Sequence, residues 1–269
     1  MELNGKVVVV TGAADGIGKA MAQRFAAEGA RGLVLCDINE ARVAAVAESL
    51  GASSMRVDVS QQSEIEALVA FAENAFGPID LFCSNAGISG SESLPTAAAD
   101  WNHIWGVNVM AHIHAANAVL PAMLARSEGY LLNTCSAAGL LTQLGGAAYA
   151  VTKHAAVAFA EWISITYGEQ GIKVSALCPM AVDTNMLRGG FDKTDDNDSP
   201  AANSVTMAGA TLQPSDVAEA VIAGLAAEKF LILPHPEVLT FWQRKTSDYD
   251  RWINGMQRFQ SRVAAATQQ

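Results

Sequence analysis

Basic residues are scarce in this sequence. Seventeen Lys and Arg stand against 27 Asp and Glu, leaving a formal charge of −10 and no basic block that could track a phosphate backbone. Nucleic acid is therefore not an expected partner. Long apolar runs are missing as well: Met1-Glu2-Leu3-Asn4-Gly5-Lys6 leads into only Val7 to Val10, too short for a signal core, and no later run reaches bilayer length. No membrane partner is expected, and the expected location is the cytoplasm. Cysteine is limited to Cys36, Cys83, Cys135 and Cys178, without a CxxC pair, each at the end of an apolar strand-like run. They read as reduced, buried thiols. His103, His112, His114, His154 and His235 lack ligand neighbours at short spacing, and His112 and His114 point apart on a helix, so no metal is expected. The one sequon, Asn197-Asp198-Ser199, reads as a chance match in a chain without a secretory signal.

What is present is apolar and ordered. Hydrophobic residues make up 51% and charged residues 16% of the 269 positions, and 22 Gly with 8 Pro leave no room for a fibrous or disordered composition. Short β-branched runs alternate with segments of helical period, the pattern of an α/β protein with a parallel sheet. The strands are expected at Lys6 to Val10, Leu33 to Cys36, Ser54 to Val57, Ile79 to Cys83, Tyr130 to Thr134, Ile172 to Cys178 and Phe230 to Leu233. Helices fall between them, the later ones near Trp101 to Arg126, Ala147 to Glu169 and Ser215 to Ala227. The expectation is a doubly wound, Rossmann-like sheet of seven parallel strands flanked by helices, with ligands outside the carboxyl ends of the strands. Residues 1–269 read as one domain, with no internal repeat. Asp183 to Thr211 lacks a period and carries Gly189-Gly190, Asp192, Asp195, Asp196 and Asp198, a mobile loop or a lid over a site.

The first strand ends in Thr11-Gly12-Ala13-Ala14-Asp15-Gly16-Ile17-Gly18, directly ahead of a helix. Glycines there permit a tight turn and let a pyrophosphate approach the N–H groups of the helix N-terminus. Asp37 follows strand two, where a dinucleotide fold places an acid on the adenosine ribose; a helix cap is the alternative. Asp58, in Val57-Asp58-Val59, could face adenine or cap the next helix, and Asn85-Ala86-Gly87 after strand four could lie beneath a cofactor or form an ordinary turn. Strand five ends in Ser136, and Tyr149 and Lys153 follow four apart on one helical face. A cation near 4 Å in a partly buried site favours the phenolate by about 4 kcal/mol. Ser136 could then hold a substrate oxygen while Tyr149 moves its proton and a nicotinamide moves the hydride. No GxSxG elbow surrounds Ser136, which argues against a hydrolase.

With TGxxxGxG at Thr11 to Gly18, NAG at Asn85 to Gly87, Ser136, and YxxxK at Tyr149 to Lys153, the chain resembles the short-chain dehydrogenase/reductase family over roughly residues 4–233. The resemblance implies an oxidoreductase that interconverts a secondary alcohol and a ketone. It implies that Asn108 joins Ser136, Tyr149 and Lys153 by holding a relay water, that Lys153 also meets the nicotinamide ribose, and that Val182 and Thr184, after Pro179, bind the nicotinamide carboxamide. The implied cofactor face comprises Gly12, Asp15, Gly16, Ile17, Gly18, Asp37, Ile38, Asp58, Val59, Asn85, Ala86 and Gly87 besides these. The expected cofactor is NAD(H): Asp37 would repel a 2′-phosphate, Ile38 offers it no cation, and Asp15 stands where phosphate-preferring relatives carry Lys or Arg. Met180 replaces the family's usual Gly after the proline, leaving the local backbone path open and offering an apolar wall, with Met186 and Leu187, to a cyclic, aryl or steroid-like substrate. An epimerase or dehydratase of the same fold and a catalytically silent dinucleotide-binding sensor or structural subunit are the rival readings. The family also implies a homodimer or homotetramer. In the tail, residues 234–269, Tyr249, Trp252, Met256 and Phe259 form one helical stripe expected to pack on its own domain or on a sister subunit.

Overall fold

In the computed structural model, the described residues are 1–90, 97–189 and 200–267. Seven parallel strands form one sheet in the order β3-β2-β1-β4-β5-β6-β7. They are β1 (Val7–Thr11), β2 (Gly32–Asp37), β3 (Ser53–Arg56), β4 (Leu81–Ser84), β5 (Gly129–Thr134), β6 (Ile172–Leu177) and β7 (Leu231–Ile232). The expected seven-stranded Rossmann-like sheet is therefore present, with strand ends displaced by one or two residues. Near-continuous apolar strands such as Val7 to Val10 suit a sheet covered on both faces.

Successive strand residues feed two cores. Val9, Phe82, Leu131 and Val174 face one side and Val8, Leu35, Leu132 and Leu177 the other. Helices α1 (Gly16–Ala27), α2 (Glu40–Leu50) and α3 (Gln62–Phe76) follow the first three strands. The single helix expected near Trp101 to Arg126 is instead α4 (Ala98–Trp105), a wide π turn (Gly106–Met110) and α5 (Ala111–Ala125). Together these make 28 helical residues, long and apolar enough to cross a membrane by length and composition, contrary to the expectation from the sequence. The most apolar window is 61% buried against the sheet, where an apolar helix serves as core.

A short α6 (Ala138–Leu141) and the long α7 (Ala147–Tyr167) follow β5. The stretch Asp183 to Thr211, expected to be without regular structure, contains α8 (Pro200–Thr206); Gly190, the aspartates from 192 to 198 and the sequon lie outside the described residues. Helix α9 (Pro214–Ala226) precedes β7, and the tail forms two helices, α10 (Glu237–Ser247) and α11 (Tyr249–Thr267). Helix α11 packs on α8 and α10 of its own chain. Its inner stripe runs through half-buried Trp252, Met256 and Phe259 to buried Val263, while Tyr249 is 57% exposed. Lys245 is buried in α10 and donates to Leu140 O at 2.7 Å, tying the tail to α6. All four cysteines are free and buried, as expected.

Candidate active site

The strand order reverses between β1 and β4, so a crevice opens at their carboxyl ends. Thr11 and Asn85 stitch its floor. Thr11 Oγ1 accepts from Asn85 N at 2.9 Å and Ala86 N at 3.0 Å and donates to Cys83 O, while Asn85 Nδ2 donates to Thr11 O. The turn leaves no room for a side chain at two of its glycines: a Cβ on Gly12 would stand 2.8 Å from Ala86 Cα, and one on Gly18 only 2.1 Å from Gly12 O. Gly16 has φ +53°, the left-handed region. Asp15 is the N-cap of α1 but makes no side-chain cap bond, leaving first-turn N–H groups free of a capping carboxylate. Its carboxylate instead accepts from Asn185 Nδ2, and a cleft of about 240 Å³ joins the turn to Asp183, Thr184 and Asn185.

Asp37 reaches back to this turn. Its Oδ2 accepts from Ala14 N at 3.1 Å and its Oδ1 from Asn39 N at 3.0 Å, each oxygen keeping a lone pair for a ribose hydroxyl. Asn39, which accepts from Arg42 N, caps α2, so Asp37 is not the helix cap. Ile38 is 63% exposed beside it. Asp58 does not cap α3 either: the N-cap is Gln61, and Asp58 Oδ1 accepts from Ser60 N and Ser60 Oγ. The Val59 side chain is buried in the core, so only its backbone can face the crevice. The open helix end, the close-packed glycines of the turn and the Asp37 carboxylate with lone pairs to spare fit a dinucleotide.

On the other side of the crevice, Thr134 Oγ1 donates to Asn85 Oδ1 at 3.0 Å and Thr134 O accepts from Lys153 Nζ at 3.0 Å. A continuous series thus links Thr11, Asn85, Thr134 and Lys153. Lys153 is 3% exposed, and its Nζ lies 5.6 Å from the centre of the Tyr149 ring. Ser136, on the loop after β5, accepts from Ala138 N at 3.1 Å. Asn108 sits in the π turn, fully buried. Its Oδ1 accepts from Ile88 N and its Nδ2 donates to Ile88 O, both at 2.9 Å, and Nδ2 also meets Thr152 Oγ1 at 3.2 Å. Gly87 lies between: its Cβ position is 3.3 Å from Asn108 Oδ1 and 3.4 Å from Lys153 Nζ. Pro179 O accepts from Ala137 N, and Thr184 stands against Gly16. Among the described non-glycine residues only Ser127, Thr142 and Glu228 take positive φ, so Met180 fits without the freedom of the family's glycine.

Several members escape sequence reading. Asn185 binds Asp15, Thr134 relays Asn85 to Lys153, and Gln143 Nε2 donates to Ala201 O and Ser204 Oγ of α8. His112, paired with Asn133 Oδ1 at 3.2 Å behind Lys153, is pushed down to about 3 by burial and by the lysine charge. Only Asn185 carries a local signal, as a polar residue beside the implied carboxamide segment.

Residues 6–195 match the family model for short chain dehydrogenases. The chain is 34% identical over 232 residues to meso-2,3-butanediol dehydrogenase of Serratia marcescens, covering 85% of this chain and 90% of that one. It is 34% identical to 3beta-hydroxysteroid dehydrogenase 2 of Eggerthella lenta, covering 68% and 74%. A solved short-chain dehydrogenase/reductase from Burkholderia phymatum in complex with NAD superposes with a TM-score of 0.83 and 31% identity, over 93% of this chain and 96% of that chain. With the seven-stranded sheet and glycine turn already described, these likenesses establish that the chain belongs to the short-chain dehydrogenase/reductase family, as an NAD(H)-dependent alcohol dehydrogenase/ketone reductase.

Proposed function

We propose that Tyr149 exchanges the proton with the substrate oxygen, that Ser136 holds that oxygen, and that Lys153 and Asn108 serve the proton's path. Bound NAD(H) supplies or accepts the hydride. The turn residues Gly12 to Gly18 receive the pyrophosphate, Asp37 the ribose, Asn85 to Gly87 the floor, and Val182 with Thr184 the carboxamide. Lys153 is buried, its Nζ held by Thr134 O and 5.6 Å from the centre of the Tyr149 ring, on the side from which it can orient the phenol. The gap over Gly87, flanked by Asn108 Oδ1 and Lys153 Nζ, suits a water that returns the proton to solvent. The observation that supports the reading is the hydrogen-bond series from Thr11 through Asn85 and Thr134 to Lys153, which ties the lysine to the floor of the crevice. Tyr149→Phe should lower kcat by at least about 100-fold while NADH still binds by fluorescence titration. Wild-type turnover in that variant overturns the assignment.

The substrate side of the site is apolar in this reading, suiting a cyclic, aryl or steroid-like alcohol. Met186 and Met207 expose 43% and 49% of their surface at the two ends of the segment proposed as a lid, residues 183–211. Met180, read as a wall of the pocket, has its Cε against Gly209. Relative kcat/KM on cyclohexanol, an aryl alcohol, a hydroxysteroid and 2,3-butanediol decides the matter, and preference for the diol overturns the apolar pocket. The chain is read as one domain of residues 1–269 with a helical tail at 234–269, working as a homodimer or homotetramer in the cytoplasm. Trp162 and Ile165, 54% and 83% exposed on α7, support association.

A further inference from the structure

We propose that His235 is a positioning residue that locks the backbone at Ala210 to the backbone segment carrying Val182 and Thr184. His235 is 1% exposed, just beyond β7, and no step above uses it. All three hydrogen-bond partners of its imidazole are backbone groups. Met180 N donates to Nδ1 at 3.1 Å, so Nδ1 is unprotonated and Nε2 carries the hydrogen. Nε2–H is then shared between Ala181 O and Ala210 O, each at 3.1 Å. One imidazole in one tautomer thus touches two segments about thirty residues apart in the chain.

Those segments form a short ladder whose end the imidazole closes. Leu212 N donates to Ala181 O at 3.0 Å, Asp183 N donates to Leu212 O at 2.9 Å, and Val182 pairs with Leu212 in a parallel bridge. Space around it is tight: a Cβ on Gly209 would stand 2.5 Å from Glu237 Oε1 and 2.8 Å from Met180 Cε. An apolar ring in place of His235 would leave the Met180 N–H and the Ala210 carbonyl without this partner inside the protein. The ladder would lose the bonds that set its register where it enters the crevice. Thr184, two residues beyond Val182, already rests against Gly16 of the glycine turn, so a shift at Met180 and Ala181 is delivered to the cofactor face. The proposal rests on the placement of Val182 and Thr184 beside the nicotinamide carboxamide.

It separates the two ends of the cofactor, which gives the test. NADH and ADP-ribose, which lacks the nicotinamide, are titrated by calorimetry into the full-length wild type and into His235→Phe, His235→Asn and Thr184→Val. His235→Phe should weaken NADH at least about 10-fold and leave ADP-ribose within about 2-fold. His235→Asn, whose amide oxygen can take the Met180 N–H, should recover most of that loss. It should still speed hydrogen exchange at the Leu212 amide, because the bridge to Ala210 is cut. Equal weakening of both ligands, or of neither, overturns the proposal and leaves His235 a packing residue. If His235→Phe does not fold, unchanged Leu212 exchange and an unchanged NADH to ADP-ribose ratio in His235→Asn overturn it instead. A ratio that moves in Thr184→Val but not in the His235 variants refutes the His235 role alone. A ratio unmoved by Thr184→Val refutes the placement of the nicotinamide itself.

Discussion

Thr11→Val exchanges a hydroxyl for a methyl of nearly equal size, and so tests the crevice floor by chemistry and not by volume. Thr11 is 3% exposed, and its Oγ1 is the acceptor for both Asn85 N and Ala86 N. Valine leaves those two N–H groups without it, at about 1–3 kcal/mol for each buried orphan, or roughly 3 kcal/mol in all after the added methyl is credited. In a chain of this size that corresponds to a fall in Tm of roughly 6–12 °C. Thr11→Ser keeps both bonds and loses one buried methyl, about 1 kcal/mol and roughly 2–4 °C. Asn85 also receives the Thr134 hydroxyl, so the loosened floor should weaken NADH binding in the valine variant more than in the serine variant. Differential scanning calorimetry and NADH titration on the three proteins decide it. A valine variant within about 2 °C of wild type, or a serine variant as damaged as the valine one, refutes the argument that these bonds organise the floor.

Gly18→Ala should fold poorly or bind no NADH, since its Cβ would stand 2.1 Å from Gly12 O, whereas Gly168→Ala, with open space, should keep the wild-type Tm within about 2 °C; thermal melts of both check the contrast. Asp37→Ala combined with Ile38→Arg should move preference toward NADP by removing like-charge repulsion and adding a phosphate partner, measured as kcat/KM for both cofactors. A wild-type preference for NADP would contradict Asp37 as the selector. His112 is held neutral down to about 3, below the value of about 6.5 in an unfolded chain. Between those limits the unfolded state binds a proton the folded state refuses, so stability is lost as pH falls below about 6.5, by up to roughly 5 kcal/mol near pH 3. His112→Asn should flatten that acid limb of Tm against pH, and an unchanged limb would remove His112 as its source.

Sequence alone exposed what is local. The glycine turn, Asn85-Ala86-Gly87, Ser136 and the Tyr149/Lys153 pair are short spacings whose geometry follows from a strand end or one helical turn. Less legible were features made by long-range contact. The Thr134 relay needs β4 and β5 side by side, the Gln143 clasp needs α8 folded over the loop after α6, and His235 reads as a lone histidine between two prolines. The tail stripe from Tyr249 to Phe259 falls wholly within α11, and Asp248, with φ −154°, ends α10 just before it. Hydropathy reported residues 101–126 as one helix because it counts faces and is blind to a hydrogen bond that skips one residue further along the backbone.

That skipped bond gives the π turn at Gly106–Met110 the geometry of one residue inserted into an α-helix. A deletion of one residue there would restore an unbroken α-helix, locally the more favourable ladder. The cost would appear elsewhere: everything N-terminal to the repair would rotate by about 100° relative to α5. The Asn108 amide would swing off Ile88, and the strand end it braces would lose its support. A shortened descendant could therefore be well folded and helical by every spectroscopic measure, yet inert, its defect recorded only as one missing codon.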